Sequence, residues 1–495
     1  MGCAKGRGCR RDKSPHRAEG QRRSRVLRGS GFLRRSGALK LLALLALTWS
    51  LGGCTDSLAP IPEDTTLLDR LNELPGVEAR QVPSTVGFGW AYELDIVQPV
   101  DHHDPGGPTF VQRAYLTHTG EWDPMIFAPN GYASSWGSSQ ELGLILRTNT
   151  LNVTHRFFID SEPEPMDWRY LTVRQSVEDH HHILTLLKEI YPGPWISSGA
   201  SKSGETVLFH RRFYPDDVDA TVAYVAPLLF STEDPRFQPF LESLGTPPER
   251  EAIRSFQRRL LLARDSLLGR FQAWFPSHGY DLSLPVGAAF EGEVMGYEWA
   301  FWQYRRREIA DIPGPDASYD EMLENLAVVS GIGGSSDQNR YYFRPYVYQA
   351  YTEIGYPALD FGYLEDLLVY EQPDLEETYW FPPGTRWDYR SGTIPDVLHW
   401  VQTQGNNIIL VYGGADPWTG GAIQLTGQTN ALKITKPGAS HRVRIADLAE
   451  RDLVMAALGD WVGLNLLARV SWPVSTAPLQ SPRSDDLFQF RSGGR

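Results

Sequence analysis

The stretch at 194–204 reads Pro-Trp-Ile-Ser-Ser-Gly-Ala-Ser-Lys-Ser-Gly, and it decides the fold. The pattern predicts the end of a short buried strand over 195–198 and a helix over 206–213, so the small residues between them must turn the chain sharply. Ser201 lies at the tip of that turn. A serine there has its hydroxyl exposed above the sheet, and the following helix N-terminus favours negative charge beside it. The stretch therefore predicts a nucleophile elbow.

The elbow departs from the usual Gly-x-Ser-x-Gly pattern at its last position. Ser203 stands there, still small enough for close packing of helix on strand, and Gly204 follows. Clusters of small residues also occur in ordinary strand–turn–helix connections, so the partners of Ser201 must decide between the two interpretations.

The charge of the chain divides it into two parts. Residues 1–53 contain 13 Lys and Arg against 2 Asp and Glu, whereas 54–495 contain 34 against 58. The acidic remainder argues against nucleic-acid binding. The basic part leads into Leu41-Leu-Ala-Leu-Leu-Ala-Leu-Thr-Trp-Ser-Leu51, an apolar run of 11 residues. That run is too short to span a bilayer and has the size of a signal-peptide core.

Cys54 ends the sequence Leu51-Gly-Gly-Cys, which resembles the lipobox of bacterial lipoproteins. It predicts lipidation of Cys54 and a membrane anchor on the exported protein, periplasmic or at the cell surface; a plain secretory signal with an incidental cysteine is the alternative. The basic region of 40 residues is long, so translation starts after Met1 or Arg34-Arg35 forms a twin-arginine-like signal. After cleavage Cys54 is the only cysteine left, which excludes an internal disulfide and a cysteine-based metal site.

Strands and helices alternate along most of the remaining chain, which predicts a mostly parallel sheet with helices on both faces. A hairpin over 91–116 comes first, with His102 and His103 in its polar tip. The strands are then expected over 124–129, 149–158, 195–198, 220–226, 407–412 and 432–435, and the helices over 141–147, 174–191, 206–213 and 445–464. This order, with the elbow, predicts an α/β-hydrolase fold.

A long segment interrupts the alternation between residues 228 and 406. It is mainly helical in pattern and dense in aromatic residues, which indicates an inserted helical cap over the active site. The predicted organisation is a signal peptide over 1–53, a lipidated tether over 54–66, hydrolase segments over 67–228 and 401–474, the cap over 229–400, and a flexible tail over 475–495.

Asp416 and His441 each follow the carboxyl end of a predicted strand of the same sheet, in the chain order serine, aspartate, histidine. A serine nucleophile needs an imidazole to take its proton and a carboxylate to fix the tautomer of that imidazole. Ser201, Asp416 and His441 are therefore predicted to form a catalytic triad. The histidines at 180–182 share one helix, where they face three directions and make a poor metal cage. No metal or organic cofactor is expected.

The oxyanion hole requires two backbone donors. Lys202 N–H, directly after the nucleophile, is one candidate, and Tyr132 or Gly131 N–H, after the first buried strand, is the other. The Lys202 side chain could serve as base in a Ser–Lys scheme, but with His441 available we expect it to make a structural ion pair or to place a charge over the cleft.

Several stretches between about 85 and 470 match the motifs of one known family. They are Thr154-His-Arg-Phe-Phe158, Asp167-Trp168-Arg-Tyr-Leu-Thr172, Gln175, Trp195-Ile-x-x-Gly-x-Ser-Lys-Ser-Gly204, Arg211-Arg-Phe-Tyr-Pro-Asp-Asp-Val-Asp219, Ala223-Tyr-Val-Ala-Pro227, Tyr348-Gln-Ala-Tyr-Thr-Glu-Ile-Gly355, Asp416-Pro-Trp and the His441 loop. In these motifs the chain resembles the secreted bacterial serine tripeptidyl aminopeptidases, or PS-10 peptidases, which are akin to the lysosomal prolyl carboxypeptidases and dipeptidyl peptidase.

The resemblance implies a serine exopeptidase that releases short peptides, tripeptides above all, from N-termini of peptide substrates, with a preference for proline. The family's serine, aspartate and histidine map onto Ser201, Asp416 and His441. Two positions depart from the related peptidases: Thr154 replaces a frequent Glu, and Glu205 a neutral residue. An aminopeptidase must bind the α-ammonium group of its substrate, and Glu353, with Tyr351 near it, is a candidate in the cap.

Two other functions remain open from the sequence. An esterase or lipase can use the same scaffold, since fold alone does not determine substrate; a lipase would be expected to have a more aliphatic lid than this Tyr- and Trp-rich cap. A surface-anchored binding protein with a dead site is the third hypothesis, and the presence of all three triad residues disfavours it.

Overall fold

Nine strands form the sheet around which the described chain is built. In the computed structural model, which describes residues 65–135, 140–370 and 388–472, they are β1 (Val77–Val82), β2 (Trp90–Pro99), β3 (Thr109–His118), β4 (Met125–Pro129), β5 (Asn149–Val153), β6 (Trp195–Ala200), β7 (Ala220–Tyr224), β8 (Ile408–Gly413) and β9 (Leu432–Lys436). Their order in the sheet is β1-β2-β3-β5-β4-β6-β7-β8-β9.

The described residues also form thirteen α-helices. They are α1 (Thr65–Glu73), α2 (Glu141–Leu146), α3 (Val173–Leu187), α4 (Lys202–Phe213), α5 (Phe237–Ser243), α6 (Pro247–Leu262), α7 (Arg264–Ser277), α8 (Val286–Met295), α9 (Tyr297–Tyr304), α10 (Tyr319–Ser330), α11 (Asp337–Gln349), α12 (Thr393–Thr403) and α13 (Arg451–Val462). A π-helical turn, Ala350–Ile354, continues α11.

The direction of strand pairing changes along the sheet. Three neighbouring pairs, β1 with β2, β2 with β3 and β3 with β5, are antiparallel. Strand β4 pairs parallel with β5 and β6, and the pairs from β6 to β9 are also parallel. The carboxyl ends of β4 and of β6 to β9 therefore share one edge of the sheet, the edge at which active sites of such sheets lie.

Helices cover both faces of the sheet because alternate strand residues point in opposite directions. Ile196, Val222 and Ile409 pack in one apolar cluster with residues of α2 and α13. Their neighbours Ala223 and Leu410 pack on the other face with residues of α3, α4 and α12. This arrangement is an α/β-hydrolase fold, as the alternation of strands and helices predicted.

The helices between β7 and β8 have an apolar core of their own. Aromatic and aliphatic side chains of α5 to α10 form this cluster, in which Phe256, Phe271, Phe290, Tyr297 and Phe301 are fully buried. Most aromatic residues of this segment therefore stabilise its own helices.

Several element boundaries differ from those predicted. The strand expected over 149–158 ends at Val153, since the chain turns afterwards and Phe157 has a φ of 70°. Helix α4 begins at Lys202, directly after the elbow. The helix expected over 445–464 is a 3₁₀ turn followed by α13, and β1 was not predicted at all.

No helix in the described ranges is long and apolar enough to cross a membrane. The predicted signal peptide, Cys54, the tether to residue 64 and the tail from 475 lie outside the described residues.

Candidate active site

The elbow holds Ser201 in a backbone conformation that few residues adopt. Its φ is 59° and its ψ is −131°, a strained combination that persists only where neighbouring structure imposes it. Ser201 N–H donates to Tyr224 O at the end of β7, at 2.9 Å, and Glu205 N–H donates to Ser201 O at 3.0 Å. Strand and helix thus fix the serine from both sides.

Two glycines make the sharp turn possible. A Cβ on Gly199 would lie 2.2 Å from Ser203 O, and one on Gly204 would lie 2.8 Å from both Ala226 Cβ and Tyr224 O. Gly204, one position later than in the usual motif, therefore allows the close packing of α4 on β7. Ser203, which takes the usual glycine position, accepts a hydrogen bond from Gly131 N–H at 2.9 Å.

Asp416 lies in the loop after β8 and is fully buried. Its Oδ2 atom is 2.7 Å from His441 Nδ1, and its Oδ1 atom accepts from Trp418 N–H at 3.2 Å. The carboxylate therefore fixes the imidazole with its Nδ1 proton directed at Asp416, which leaves Nε2 as the unprotonated ring nitrogen.

The loop after β9 carries His441, and backbone contacts hold it beside the Asp416 loop. Ala415 N–H donates to Ala439 O at 2.8 Å, and His441 N–H donates to Gln303 O of α9 at 3.0 Å. The helices inserted between β7 and β8 thus help to position the histidine. Asp416, His441 and the elbow serine all lie at the carboxyl edge of the parallel strands.

Of the two backbone candidates in the loop after β4, only one is engaged elsewhere. Gly131 N–H already donates to Ser203 Oγ, so Tyr132 N–H is the better candidate for an oxyanion donor.

The Lys202 side chain was expected either to make a structural ion pair or to place a charge over the cleft. Its side chain is buried, its Nζ atom donates to Gly131 O, and it lies 5.5 Å from the ring centroid of Tyr132 and 5.4 Å from that of Phe158. Burial lowers the pKa of Lys202 to about 7. Burial also raises the pKa of Glu205, one turn along the same helix, to about 8.

A cleft of about 1180 Å³ opens beside the Asp416 loop. Trp418, two residues after the aspartate, lies in its wall with Trp299, Tyr351 and Tyr356, and the wall contains three carboxylates, Glu233, Asp360 and Glu365. Among the described residues that line the cleft there is no Lys, Arg or His. An apolar, aromatic cleft with acidic groups suits a peptide that carries a positive charge.

The two cap residues predicted to bind substrate lie in different surroundings. Tyr351 lines the cleft. Glu353 is buried, and its oxygens accept from Val173 N–H and Thr393 Oγ, each at 2.8 Å. These contacts tie the π-helical turn to α3 and α12, so they favour a structural role for Glu353 over binding of a substrate amine.

His102, His181 and His182 each contact a side chain outside the candidate triad. His102 Nε2 is 2.7 Å from Asp179 Oδ1, which attaches the hairpin tip to α3, although the sequence suggested only a polar loop. His181 contacts Asp217, His182 contacts Gln98, and His180 is buried. Within the described ranges no three His, Cys, Asp or Glu side chains are placed to hold a metal ion.

The sequence identified Ser203 only as a small residue of the elbow, not as the acceptor of Gly131 N–H. Gln303 O, which accepts from His441 N–H, was not identified at all. No local sequence pattern marks either contact.

Comparisons with known proteins now assign the chain. The sequence profile of the family described as PS-10 peptidase S37 matches residues 61–485. The chain belongs to this family. The prolyl tri/tetrapeptidyl aminopeptidase of Streptomyces mobaraensis is 33% identical over 406 residues, which cover 80% of this chain and 85% of that protein. The PS-10 family member described here is therefore a serine peptidase.

Solved structures give weaker likenesses. A proline iminopeptidase from Mycobacterium smegmatis has a TM-score of 0.34 at 12% identity, covering 74% of this chain and 98% of its own. A monoacylglycerol lipase from Paleococcus ferrophilus has a TM-score of 0.29 at 12% identity, covering 71% and 98%. At these scores neither neighbour indicates what the PS-10 protein does, and its fold class rests on the sheet and helices described above.

Proposed function

We propose that this PS-10 peptidase releases tri- or tetrapeptides from free N-termini, after proline, through an acyl-enzyme at Ser201. The observation that carries the proposal is the 2.7 Å hydrogen bond between Asp416 and His441 at the sheet edge where the elbow presents Ser201. The substrate class is supported by the activity for which the Streptomyces mobaraensis relative is named.

The reaction follows from the charges of the three side chains. His441 Nε2 takes the Ser201 proton as Oγ attacks the carbonyl carbon, and Asp416 stabilises the imidazolium that forms. Tyr132 N–H and Lys202 N–H are the proposed backbone donors to the oxyanion. His441 then gives the proton to the leaving amine, and water hydrolyses the acyl-enzyme.

Aminopeptidase action requires an anion for the substrate's α-ammonium group. The cleft beside Trp418 supplies Glu233, Asp360 and Glu365. We assign the ammonium to this cleft and not to Glu353, whose oxygens are occupied by Val173 and Thr393. Binding of the ammonium at a fixed place relative to Ser201 would restrict cleavage to peptides of a few residues.

A synthetic decapeptide with proline at position three tests the proposal, with a matched peptide that has glycine there as control. Mass spectrometry should show an intact tripeptide from the proline peptide and far less product from the control. Cleavage at internal positions of both peptides at similar rates would contradict the exopeptidase assignment.

Export and lipidation at Cys54 complete the proposal. The apolar run 41–51 and the Leu51-Gly-Gly-Cys sequence support it. Stable anchoring requires more than one acyl chain. If Cys54 is lipidated in that way, wild-type protein expressed in a bacterium should fractionate with membranes, whereas Cys54→Ser should not. Equal distribution of the two proteins would contradict the anchor.

A further inference from the structure

We propose that Trp299 and Gln303 of α9 are positioning residues that transmit the occupancy of the cleft to His441. A peptide that fills the cleft beside Trp418 thereby raises the rate of the reaction at Ser201, in addition to gaining affinity. The inference rests on the proposed function, because it assigns a role in that acyl transfer to residues that form or support the substrate cleft.

The C-terminal end of α9 supplies the contact with His441. The last carbonyls of a helix have no partner within it, and the chain leaves α9 at Arg305, whose φ is 46°. The carbonyl of the buried Gln303, near that end, accepts a hydrogen bond from His441 N–H at 3.0 Å. The position of α9 therefore sets the position of the loop that carries the imidazole.

The side chain of Gln303 connects the same residue to the cleft. Its Oε1 atom accepts a hydrogen bond at 3.1 Å from the indole N–H of Trp299, which lies about one helical turn earlier. The Trp299 side chain is half-buried, and it lines the cleft. Gln303 thus contacts His441 with its backbone and the cleft wall with its side chain.

A second path joins the same cleft wall to Asp416. The rings of Trp299 and Trp418 meet edge to face with centroids 5.0 Å apart, and the Phe237 ring of α5 lies 6.0 Å from each. Trp418 N–H donates to Asp416 Oδ1, and Asp416 Oδ2 contacts His441 Nδ1. The contacts therefore close into a ring that includes the cleft wall, His441 and Asp416.

This ring makes the alignment of the imidazole depend on the cleft wall. Proton transfer requires close approach of the reacting groups, and a small misplacement slows it strongly. A peptide packed against Trp299 restricts the movement of the indole and, through Gln303, of the His441 backbone. A ligand favours the aligned state only through contacts that differ between the states, and a substrate that leaves the cleft empty lacks these contacts. Selection by the cleft should therefore appear in kcat as well as in KM.

The test uses the full chain and two variants that break the link at its two ends, Trp299→Phe and Gln303→Met. Both keep the backbone contact between Gln303 O and His441 N–H. With an Ala-Ala-Pro anilide, kcat should fall about tenfold in each, the effect of losing one hydrogen bond. The KM of Gln303→Met should stay within about twofold of wild type, since the Trp299 ring is retained. Trp274→Phe, which alters a tryptophan of α7 stacked on His278, is the control and should change neither.

Two further readouts separate this link from a merely structural role. The double variant should lose no more kcat than either single variant, because both substitutions remove the same interaction. For an acyl ester too short to enter the cleft, kcat should stay within about twofold of wild type in every variant. Losses that multiply to about a hundredfold in the double variant, or an ester kcat that falls as far as the peptide kcat, would overturn the proposal.

Failure of the proposed function would look different, because wild-type protein would then hydrolyse the ester and no peptide. Ala-Ala amide, which has a free amine and no anilide bond, tests the link in that case as a ligand of the cleft. It should raise the ester kcat of wild type and leave that of Gln303→Met unchanged. An ester kcat that the amide leaves unchanged in wild type, or raises equally in the variant, would overturn the link.

Discussion

At the residue scale, the proposed chemistry depends on one carboxylate that has no access to water. Asp416 is buried and its two oxygens are divided between His441 Nδ1 and Trp418 N–H. An acceptor at Oδ2 dictates that the Nδ1 atom carries the proton. The single side chain thus determines both the orientation of the imidazole and which of its two nitrogen atoms carries the proton.

Asp416→Asn should reverse that tautomer. The amide NH₂ would face Nδ1 as a donor, so the proton would move to Nε2 and the imidazole could not accept the Ser201 proton. We expect kcat to fall about 10⁴-fold with a nearly unchanged melting temperature. Asp396→Asn, which loses a half-exposed ion pair with Arg212, is the control. Retention of more than about a tenth of kcat by Asp416→Asn would contradict the assignment.

The ionisation of Glu205 makes the stability of the folded protein depend on pH. Burial raises its pKa to about 8, so folding favours its protonated form. This contribution to stability is complete below the unfolded pKa, about 4.5, and is lost as the pH rises through 8. At pH 9 the carboxylate is charged in a site that Lys202, with a pKa of about 7, no longer compensates.

Glu205→Gln should therefore melt at the same temperature as wild type at pH 4 and at a higher temperature at pH 9. Calorimetry at the two pH values measures the difference. A variant that is less stable than wild type at pH 9 would show that the ionised carboxylate has a stabilising partner.

At the element scale, one buried ion pair joins three segments. Arg156, after β5, makes a two-point contact with Asp179 of α3, with both N–O distances at 2.7 Å. The same guanidinium donates to the carbonyls of Pro99, Val100 and Tyr170, and His102 contacts Asp179 from the hairpin tip. All five guanidinium N–H groups are thereby satisfied.

Asp179→Asn should destabilise the protein by about 3–5 kcal/mol, because it leaves the Arg156 charge buried without compensation. Denaturant unfolding measures the loss. Asp452→Asn, in an exposed pair 4.0 Å from Arg451, should cost less than about 1 kcal/mol. Similar effects of the two substitutions would contradict the structural role of the buried pair.

Elements with a strong pattern were predictable from the sequence, and those shaped by side-chain hydrogen bonds were not. Strands β4, β6, β7, β8 and β9 were predicted within a few residues because buried parallel strands read as apolar runs. The pattern of residues after Val153 also predicted a buried strand. These residues are buried, but Arg156 is buried because its side chain makes hydrogen bonds to distant segments, and the strand has already ended. Helix α4 starts at residues with poor helix propensity, which delayed its predicted start.

The candidate site divides in the same way. Ser201, Asp416 and His441 were predicted together because each follows a strand at the same sheet edge, and the structure brings Asp416 and His441 within 2.7 Å. The orientation of Tyr132, the occupied oxygens of Glu353 and the burial of Lys202 depend on contacts between residues distant in the chain. No local pattern reports such contacts.

At the scale of the whole molecule, the helices inserted between β7 and β8 complete the site built by the sheet. Gln303 O of α9 fixes the His441 backbone, Tyr346 and Phe343 of α11 pack on Tyr132, and Trp299 meets Trp418 in the cleft wall. The proposed selection of substrates by their chain terminus therefore depends on the cleft. It does not depend on the candidate triad, which any serine hydrolase of this fold can use.

We propose that Ser201 cleaves peptides only when they present a free N-terminus. Release of a chromogenic anilide from Ala-Ala-Pro with a free amine, compared with the same peptide N-acetylated, tests it most directly in the full chain and its Ser201→Ala variant. We expect cleavage of the free peptide alone, abolished by Ser201→Ala. Equal cleavage of both peptides, or activity that survives Ser201→Ala, would contradict the account.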